Sequence, residues 1–581
     1  MKKSIFIIAL SVLCLSSCNE DKFLNETPID FMSGDNSYMT QADFDAATTE
    51  LYYLTRKEFF CNGDRSQDYL FGTDMIQGTS PQSNIATDQN PTGDIAKVHW
   101  NNLYLLISQA NVIISRVHQS TIDDAQKVLF EAKARFFRGF AYRTLTYLYG
   151  GVPLQLEEVT SPKTDYTRAG KEQTLQQALD DMNFAAEHLP DIKDVKDGEI
   201  NAPAAWTLVA ELQLALGHAQ EAVDAASKVI QNPALALMQN RFGRRSGQPG
   251  DVYWDLFQRG NQNRSAGNTE SLWVIQLNNP DVPGGGSSTN TYFWTVPGNF
   301  LAERYFSPQV GLFKFIMPDG SQLSPFIWPT GDYTGGRGIG SGIADEHFYT
   351  EVWQSDWSND IRNSNYNFVR KIKYNNPDFV AKYGNAFGDS IDLMNPVIPA
   401  GVTMLTGVQN QSTLPGRYLT GYQSKCTTPF DHPDGLYLNK STYLLAGTGG
   451  GTYSDQYMLR LPEAYLLRAE AYFRLGQAQK AADDLNVIRR RAHASDVTAS
   501  QVSVDYILDE RMREYGIEEK RRLTLSRMGE LGNRVRKYNP WYGASHSADG
   551  KEFKDGYALY PIPQTAIEAN KDAVLEQNPD Y

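Results

Sequence analysis

The sequence predicts a mainly α fold, in which tetratricopeptide-like helix pairs form a scaffold that carries a large loop-rich lobe containing short strands. The first observation is helical spacing of apolar residues in residues 41–60, 100–149, 170–230 and 455–530. The second is a pattern of aromatic, small and glycine residues that recurs in two of these stretches. The third is a middle rich in glycine and tryptophan, residues 235–455, without such periodicity.

Two interrupted helix pairs are predicted in the first part of the chain. Residues 43–57 are interpreted as a first helix whose partner is 101–118, with a long insertion between them. Residues 129–149 are interpreted as a second such helix, partnered by 173–188. Insertions within repeat pairs usually lie on one face and carry function, so these connections are candidate sites.

Two uninterrupted pairs share one pattern of side-chain sizes, with gaps of 4, 7, 5, 4 and 3 residues in both copies. The copies are Trp206, Ala210, Gly217, Ala222, Ala226 and Val229, and Tyr465, Ala469, Gly476, Ala481, Leu485 and Ile488. Small residues let two helices approach closely, and each glycine is suited to end its helix in a left-handed conformation. The pattern is typical of tetratricopeptide repeats, although generic helical hairpins would give the same fold class.

The middle of the chain predicts the loop-rich lobe. Six of the nine tryptophans lie there among glycine runs: Trp254, Trp273, Trp294, Trp328, Trp353 and Trp357. Trp254 and Trp273 occur in apolar, strand-like stretches, so we expect them in the core. A stretch this long without regular structure is uncommon in a compact domain unless it is functional.

The first residues predict an export signal followed by a lipid attachment site. Two lysines precede the apolar run 5–15, which is shorter than the roughly 20 residues of a membrane span. Residues 15–18 (LSSC) then resemble a bacterial lipobox, which implies a signal peptide over residues 1–17 and lipidation of Cys18. An ordinary signal peptide with a chance cysteine is the alternative.

Composition and motifs argue against several classes of function. A formal net charge of −14 disfavours broad contact with a nucleic-acid backbone. The chain has no H-E-x-x-H, C-x-x-C, P-loop, G-x-G-x-x-G or G-x-S-x-G motif, and its eight histidines show no metal-ligand spacing. We therefore expect no catalytic residues, cofactor or metal site, and leave a structural calcium ion open. The pairing of Cys61 and Cys426 is also left open.

Neighbouring acidic residues in the predicted helices are interpreted as solvated surface. These pairs are Asp123-Asp124, Asp180-Asp181, Asp483-Asp484 and Glu518-Glu519. Successive helical residues point about 100° apart, so such a pair does not supply the facing carboxylates of a hydrolase. The mixed-charge segment 511–522 predicts a salt-bridged helix rather than a nucleic-acid patch.

Several segments at both ends of the chain resemble the SusD/RagB family. They are 131–142 (EAKARFFRGFAY), 150–154 (GGVPL), 461–476 (LPEAYLLRAEAYFRLG), 485–492 (LNVIRRRA), 507–522 (ILDERMREYGIEEKRR), 559–563 (LYPIP) and 577–581 (QNPDY). The family's usual Arg-Trp after the acidic helix is Arg522-Leu523 here. The central lobe carries no family-wide motif, so ligand identity does not transfer.

The resemblance implies a surface-exposed, lipid-anchored protein of the Bacteroidetes outer membrane that is not an enzyme. Such proteins bind oligosaccharides, or other oligomeric nutrients, and deliver them to a TonB-dependent transporter of the SusC type. Nucleic acid is not an expected partner. The predicted organisation is a signal peptide 1–17, a lipidated N-terminus and tether 18–35, and one SusD-like domain 36–581. Its parts are a helical scaffold of about 36–234 and 455–535, a lobe of about 235–454 and a closing segment 536–581.

Glycan capture suits aromatic side chains on loops over a rigid scaffold, because the apolar faces of sugar rings stack on flat aromatic rings. The candidate ligand-binding residues are Asp74, Trp100, Asn101, Trp294, Trp328, Tyr349, Trp353 and Trp357. Trp100 and Asn101 lie where the first insertion meets its helix, the place at which the family's site tends to form. Two alternatives stay open: a tethered glycoside hydrolase with two facing carboxylates, and a helical-repeat scaffold for protein–protein contact.

Overall fold

The computed structural model describes residues 38–78, 89–277, 300–452, 454–541 and 553–581. The predicted signal peptide, Cys18 and Trp294 lie outside the described residues, so the statements about them stay predictions. Within the described ranges, no helix combines the length and the apolar character that crossing a bilayer requires.

Helices dominate the described residues, which confirms the predicted mainly α fold class. They are α1 Gln41–Phe60, α2 Asp94–Val117, α3 Asp124–Tyr149, α4 Lys171–His188, α5 Ala202–Leu216, α6 Ala219–Ile230, α7 Val252–Leu256, α8 Ala302–Phe306, α9 Glu346–Tyr349, α10 Pro377–Phe387, α11 Pro462–Arg474, α12 Ala478–Arg491, α13 Val504–Tyr515, α14 Arg521–Met528, α15 Leu531–Tyr538 and α16 Gln564–Ala569.

The long helices form one continuous stack. Each helix from α1 to α6 packs on the next, α6 packs on α11, and α11 pairs with α12. Helices α1 and α2 are therefore the first predicted interrupted pair, and α3 and α4 are the second. The predicted repeats correspond to α5–α6 and α11–α12, so the helix-pair scaffold is confirmed.

Glycine turns and buried small residues explain the two repeats. Gly217 (φ 87°) and Gly476 (φ 72°) adopt left-handed conformations just after α5 and α11. A residue with a Cβ atom pays about 1–2 kcal/mol in that region, which is why glycine fits these turns. Ala210 and Ala469 are fully buried within their helices. The Asn201 side chain caps α5 by accepting a hydrogen bond from the Ala204 amide (3.0 Å).

The strands are short, as predicted for the lobe. They are β1 Ile76–Gly78, β2 Ser271–Ile275, β3 Lys314–Ile316, β4 Gln322–Leu323, β5 Gly342–Ala344, β6 Phe368–Val369, β7 Lys371–Lys373, β8 Ser390–Asp392, β9 Thr403–Leu405, β10 Tyr422–Gln423, β11 Tyr437–Asn439, β12 Leu444–Leu445 and β13 Gln456–Arg460. All named pairs are antiparallel: β1–β5, β2–β13, β6–β10, β7–β8 and β11–β12, with β3 between β4 and β9.

Buried apolar side chains form two main clusters. The first fills the helical stack and includes Trp273 of β2, whose ring packs on Phe136 and Phe140 of α3. The second lies within the lobe and is built largely from aromatic residues. Trp254 is buried as expected, but its segment is the short helix α7 rather than a strand, because the Asp251 side chain caps it by accepting from the Trp254 amide (2.8 Å).

A network of buried ion pairs joins the lobe to the scaffold. Glu510 of α13 accepts hydrogen bonds from Arg362 of the lobe and from Arg489 of α12, both at 2.8 Å. Glu514, one turn later, accepts from Arg362 (3.1 Å) and from Arg460 (2.9 Å). Because a buried charge without a partner is costly, these contacts fix the relative positions of the elements that carry them.

Several acidic residues expected at the surface are instead buried. Asp181 pairs with Arg138 at 2.7 Å, and Glu519 pairs with Arg511 at 2.7 Å. The prediction of a single salt-bridged helix over 511–522 is wrong: α13 ends at Tyr515 and α14 begins at Arg521, and the ion pairs of this segment lie mostly inside the protein. Sequence spacing missed the burial because it depends on how these elements pack on the rest of the protein.

Cys61 and Cys426 are both buried, and they do not form a disulfide with each other.

Candidate functional site

A shallow basin of ≈ 390 Å³ opens on the lobe beside the β7–β8 hairpin. Its lining combines one exposed indole with many polar side chains: Trp357, Asn363, Asn365, Phe368, Arg370, Lys371, Asp392, Met394 and Asn395. Lys371 and Asp392 are register partners across the hairpin, so the strand pairing places them side by side.

Trp357 forms the aromatic wall of the basin. It follows the short helical turn 351–356, and its side chain is 38% exposed. The Asn363 side-chain amide donates to the Trp357 carbonyl (2.8 Å), and the Arg370 guanidinium lies 5.0 Å from the indole centroid. A large apolar ring is thus held at the surface by contacts that fix its position.

Arg370 forms the floor and is only 6% exposed. Its guanidinium donates to the Tyr349 carbonyl (2.6 Å) and to Asn363 Oδ1 (2.7 Å). The rings of Phe368 and Tyr349 flank it, with centroids 3.7 Å and 5.3 Å from its Cζ atom. Burial lowers the pKa of Arg370 to about 9, so the guanidinium stays charged at neutral pH.

Three polar side chains around the rim keep unused hydrogen-bonding capacity. No hydrogen bond or ion pair among the described residues engages the Lys371 ammonium, the Asn395 amide group or Asp392 Oδ2. Asp392 Oδ1 accepts from the amides of Met394 (2.9 Å) and Asn395 (3.4 Å), which orients the carboxylate. The basin therefore offers donors and an acceptor together with an exposed aromatic ring.

Three predicted residues lie in this part of the lobe, and of these only Trp357 lines the basin. Tyr349 is buried behind Arg370. Trp353 is 1% exposed; its Nε1–H donates to the Phe348 carbonyl (2.7 Å) and its ring packs near Phe368. This corrects the expectation that Tyr349 and Trp353 are surface platforms, because both side chains pack into the apolar cluster of the lobe.

Trp100 and Asn101 are neighbours on α2, but their side chains point in different directions. Trp100 is 7% exposed and lines a second cavity of ≈ 360 Å³, together with Tyr104, Tyr166 and apolar residues of the closing segment. Asn101 is exposed and does not line that cavity. Successive helical residues point about 100° apart, so the pair does not act as one unit.

Asp74 is fully buried, which corrects its prediction as a ligand contact. Its carboxylate accepts from Arg521 (2.7 and 2.8 Å) and from Arg534 (2.7 Å). Trp328 is half-buried, donates to the Gly338 carbonyl (3.3 Å) and has the Arg337 guanidinium over its ring. Trp328 stays a prediction.

Sequence reasoning missed Arg370 and the polar rim. One signal was present: four asparagines, at positions 359, 363, 365 and 367, closely follow Trp357, and two of them, Asn363 and Asn365, line the basin. Asparagine amides close to an exposed aromatic ring suit the hydroxyl groups of a sugar. No group of three or more His, Cys, Asp or Glu side chains in the described ranges is arranged to hold a metal ion.

Comparison with known proteins identifies the chain. The family model described as "SusD family" matches residues 254–581, which is more than half of the sequence. The chain belongs to the SusD family. A second SusD-family model, described as "Starch-binding associating with outer membrane", matches residues 22–214. The resemblance to SusD/RagB proteins is therefore confirmed at both ends of the chain.

Individual SusD-family proteins align over parts of this chain. SusD-like protein P2 of Formosa agariphila is 27% identical over 284 residues, 47% of this chain and 53% of that protein. The starch-binding protein SusD of Bacteroides thetaiotaomicron is 35% identical over 128 residues, 22% of each chain. This chain thus spans about half the length, or less, of the curated relatives it matches.

Solved structures of SusD-like proteins cover nearly the whole chain. A laminarin binding SusD-like protein superposes with a TM-score of 0.64 at 19% identity, over 94% of this chain and all of that one. The surface glycan-binding protein A from Bacteroides thetaiotaomicron, in complex with laminarihexaose, gives a TM-score of 0.61 at 17% identity, with coverage of 93% and 100%. At these identities the likeness establishes the SusD fold.

Proposed function

We propose that this SusD-family protein binds oligosaccharides and that the Trp357 basin is a binding site for them. One observation carries the proposal: an exposed indole lines the same basin as unused polar groups of Lys371, Asp392 and Asn395. A pyranose ring has an apolar face for the indole and hydroxyl groups for the rim, so both halves of the basin find partners. Solved relatives named for laminarin and laminarihexaose support this ligand class.

The basin suits binding rather than bond cleavage. Glycoside hydrolases canonically place two carboxyl groups on either side of the scissile bond, and they raise the pKa of one of them. Asp392 is the one carboxylate among the residues that line the basin. We therefore propose that the bound glycan is released unchanged.

Delivery to a partner completes the proposal. The N-terminal pattern and the family description that names outer-membrane association support a lipid anchor at Cys18 on the outer membrane. The proposed role there is to pass captured oligosaccharides to a SusC-type TonB-dependent transporter. Loss of membrane attachment on Cys18→Ala, and co-purification of such a transporter with the wild type, test these two steps.

The binding experiment uses residues 19–581 and isothermal titration against oligosaccharides from laminarin, starch and other plant and algal glycans. We expect Trp357→Ala to weaken binding of the best ligand at least tenfold, because the stacking surface is lost. Tyr53→Ala on α1 is the control, since Tyr53 is also exposed (49%) and lies outside the basin. Equal affinity in both variants would place the site elsewhere, and chromatography of the recovered ligand shows whether any was cleaved.

A further inference from the structure

Arg370 carries a positive charge that no carboxylate balances. The ion pairs formed by the described residues do not include Arg370, and its hydrogen-bond acceptors, the Tyr349 carbonyl and Asn363 Oδ1, are neutral. Arg362 and Arg521, which are equally buried, each bind at least one carboxylate. Two other buried arginines, Arg245 and Arg522, also form no ion pair among the described residues, but neither lines the basin. Burying a charge without a counter-charge is costly, so an anion that entered the basin would gain from Arg370.

The guanidinium also keeps unused donors. Arginine has five N–H groups. Nε and Nη2 donate to the Tyr349 carbonyl, and Nη1 donates to Asn363, which leaves one N–H on each terminal nitrogen. Arg370 lines the basin, so an oxyanion in the basin is the chemistry that would use these donors.

The charge around the basin has the opposite sign to the chain. Lys371 adds a second positive charge at the rim, and Asp392 is the one acidic residue of the lining. The basin thus has a net charge of about +1 on a chain of −14. A local positive potential on an acidic protein attracts anionic ligands and repels none of the neutral ones.

We propose that the basin selects oligosaccharides that bear an oxyanion, either the carboxylate of a uronic acid or a sulfate ester. The sugar ring stacks on Trp357, and its anionic group reaches Arg370 from the basin with Lys371 beside it. This inference rests on the proposed function and names the ligand class of the same site. The aromatic rings around Arg370 stabilise its positive charge in part through cation–π contacts. The experiment described next distinguishes this structural role from recognition of an anionic ligand.

The experiment compares matched ligands by isothermal titration with residues 19–581. One arm pairs oligogalacturonides with their methyl esters, and a second pairs sulfated oligosaccharides with their desulfated forms, so the two sources of the oxyanion are distinguished. We expect the anionic member of one pair to bind about tenfold more tightly, and its advantage to shrink as salt rises.

Two substitutions should shift this preference in opposite directions. Lys371→Gln should weaken the anionic ligand about two- to fivefold, and Asp392→Asn should strengthen it by a similar factor, with smaller effects on the neutral partner. Lys373→Gln is the matched control, because Lys373 is exposed on the same strand and outside the basin. Arg370→Gln should abolish the preference, and its unfolding curve shows whether the fold persists.

The outcomes separate the two proposals. Equal affinity for both members of each pair, lost on Trp357→Ala and unchanged by Lys371→Gln and Asp392→Asn, would overturn the anionic preference and leave oligosaccharide binding intact. Failure of every neutral and anionic ligand to bind would overturn both. A preference that Lys373→Gln changes as much as Lys371→Gln would also overturn the assignment, since general surface charge would then explain it.

Discussion

Replacing Asp74 with asparagine should destabilise the whole protein. Asp74 lies in the first insertion, yet its carboxylate holds Arg521 and Arg534, near the start of α14 and within α15, through three hydrogen bonds of 2.7–2.8 Å. Burial alone would raise the pKa of Asp74, but Arg521 and Arg534 lower it well below its usual range, so it is ionised. Asn keeps the size and one acceptor and removes the charge.

The expected cost follows from the partners that remain. Breaking a buried ion pair by removing one member costs about 3–5 kcal/mol, because the other charge stays buried. Arg521 keeps Glu519 (3.1 Å), and Arg534 keeps Asp505 (3.0 Å) and Asp509 (2.6 Å). Each arginine therefore retains at least one carboxylate, and we expect the lower end of the range, about 3 kcal/mol.

Urea unfolding, followed by tryptophan fluorescence and circular dichroism, measures this cost. Asp45→Asn is the control, because Asp45 is exposed on α1, and it should change the free energy of unfolding by less than about 0.5 kcal/mol. A loss below about 1 kcal/mol for Asp74→Asn would refute the reasoning. Unchanged stability with reduced glycan affinity would instead make Asp74 a ligand contact, as the sequence suggested.

Three further results are expected. Trp353→Ala should cost about 3–5 kcal/mol in the same assay, because it empties a buried site, whereas a ligand platform would lose affinity without that cost. Gly217→Ala should lower the free energy of unfolding by about 1–2 kcal/mol because of its positive φ alone, since the added Cβ atom would meet no neighbouring atom. Gly247 is equally open but has no positive φ, so Gly247→Ala should be near neutral. Burial would raise the pKa of Glu514, but three arginines lower it to about 2. The contribution of Glu514 to stability is therefore fully present above the pKa of about 4.3 in the unfolded chain, and it is lost as the pH falls towards about 2. Glu514→Gln should remove that part of the acid dependence, and an unchanged acid unfolding curve would contradict it.

The helical scaffold could be predicted because its signals are local. Periodicity and the spacing of Gly217 and Gly476 report on residues within one or two turns of each other. The interrupted pairs α1–α2 and α3–α4 were also within reach, since each helix carries its own apolar stripe.

The site was only partly predictable. Trp357 was found because tryptophan in a loop-rich segment is a sound candidate, but the same argument selected Tyr349 and Trp353, which the fold turns inward. Arg370 gave no local signal in the sequence, because what distinguishes it is that none of its hydrogen-bond acceptors among the described residues is a carboxylate. Burial of Asp74 was hidden for a related reason: its partner Arg521 is supplied by a tertiary contact.

The bond between Asp74 and Arg521 joins residues 447 positions apart. A ribosome releases the N-terminal residue of this pair long before its partner, so the growing chain spends most of its synthesis with that carboxylate hydrated. The insertion that carries it reaches its final environment only as about the last tenth of the chain is made. The fold is therefore completed late in synthesis. In a polypeptide that ends before Arg521, the Asp74 carboxylate stays in water, whereas in the finished protein it is buried in an ion pair.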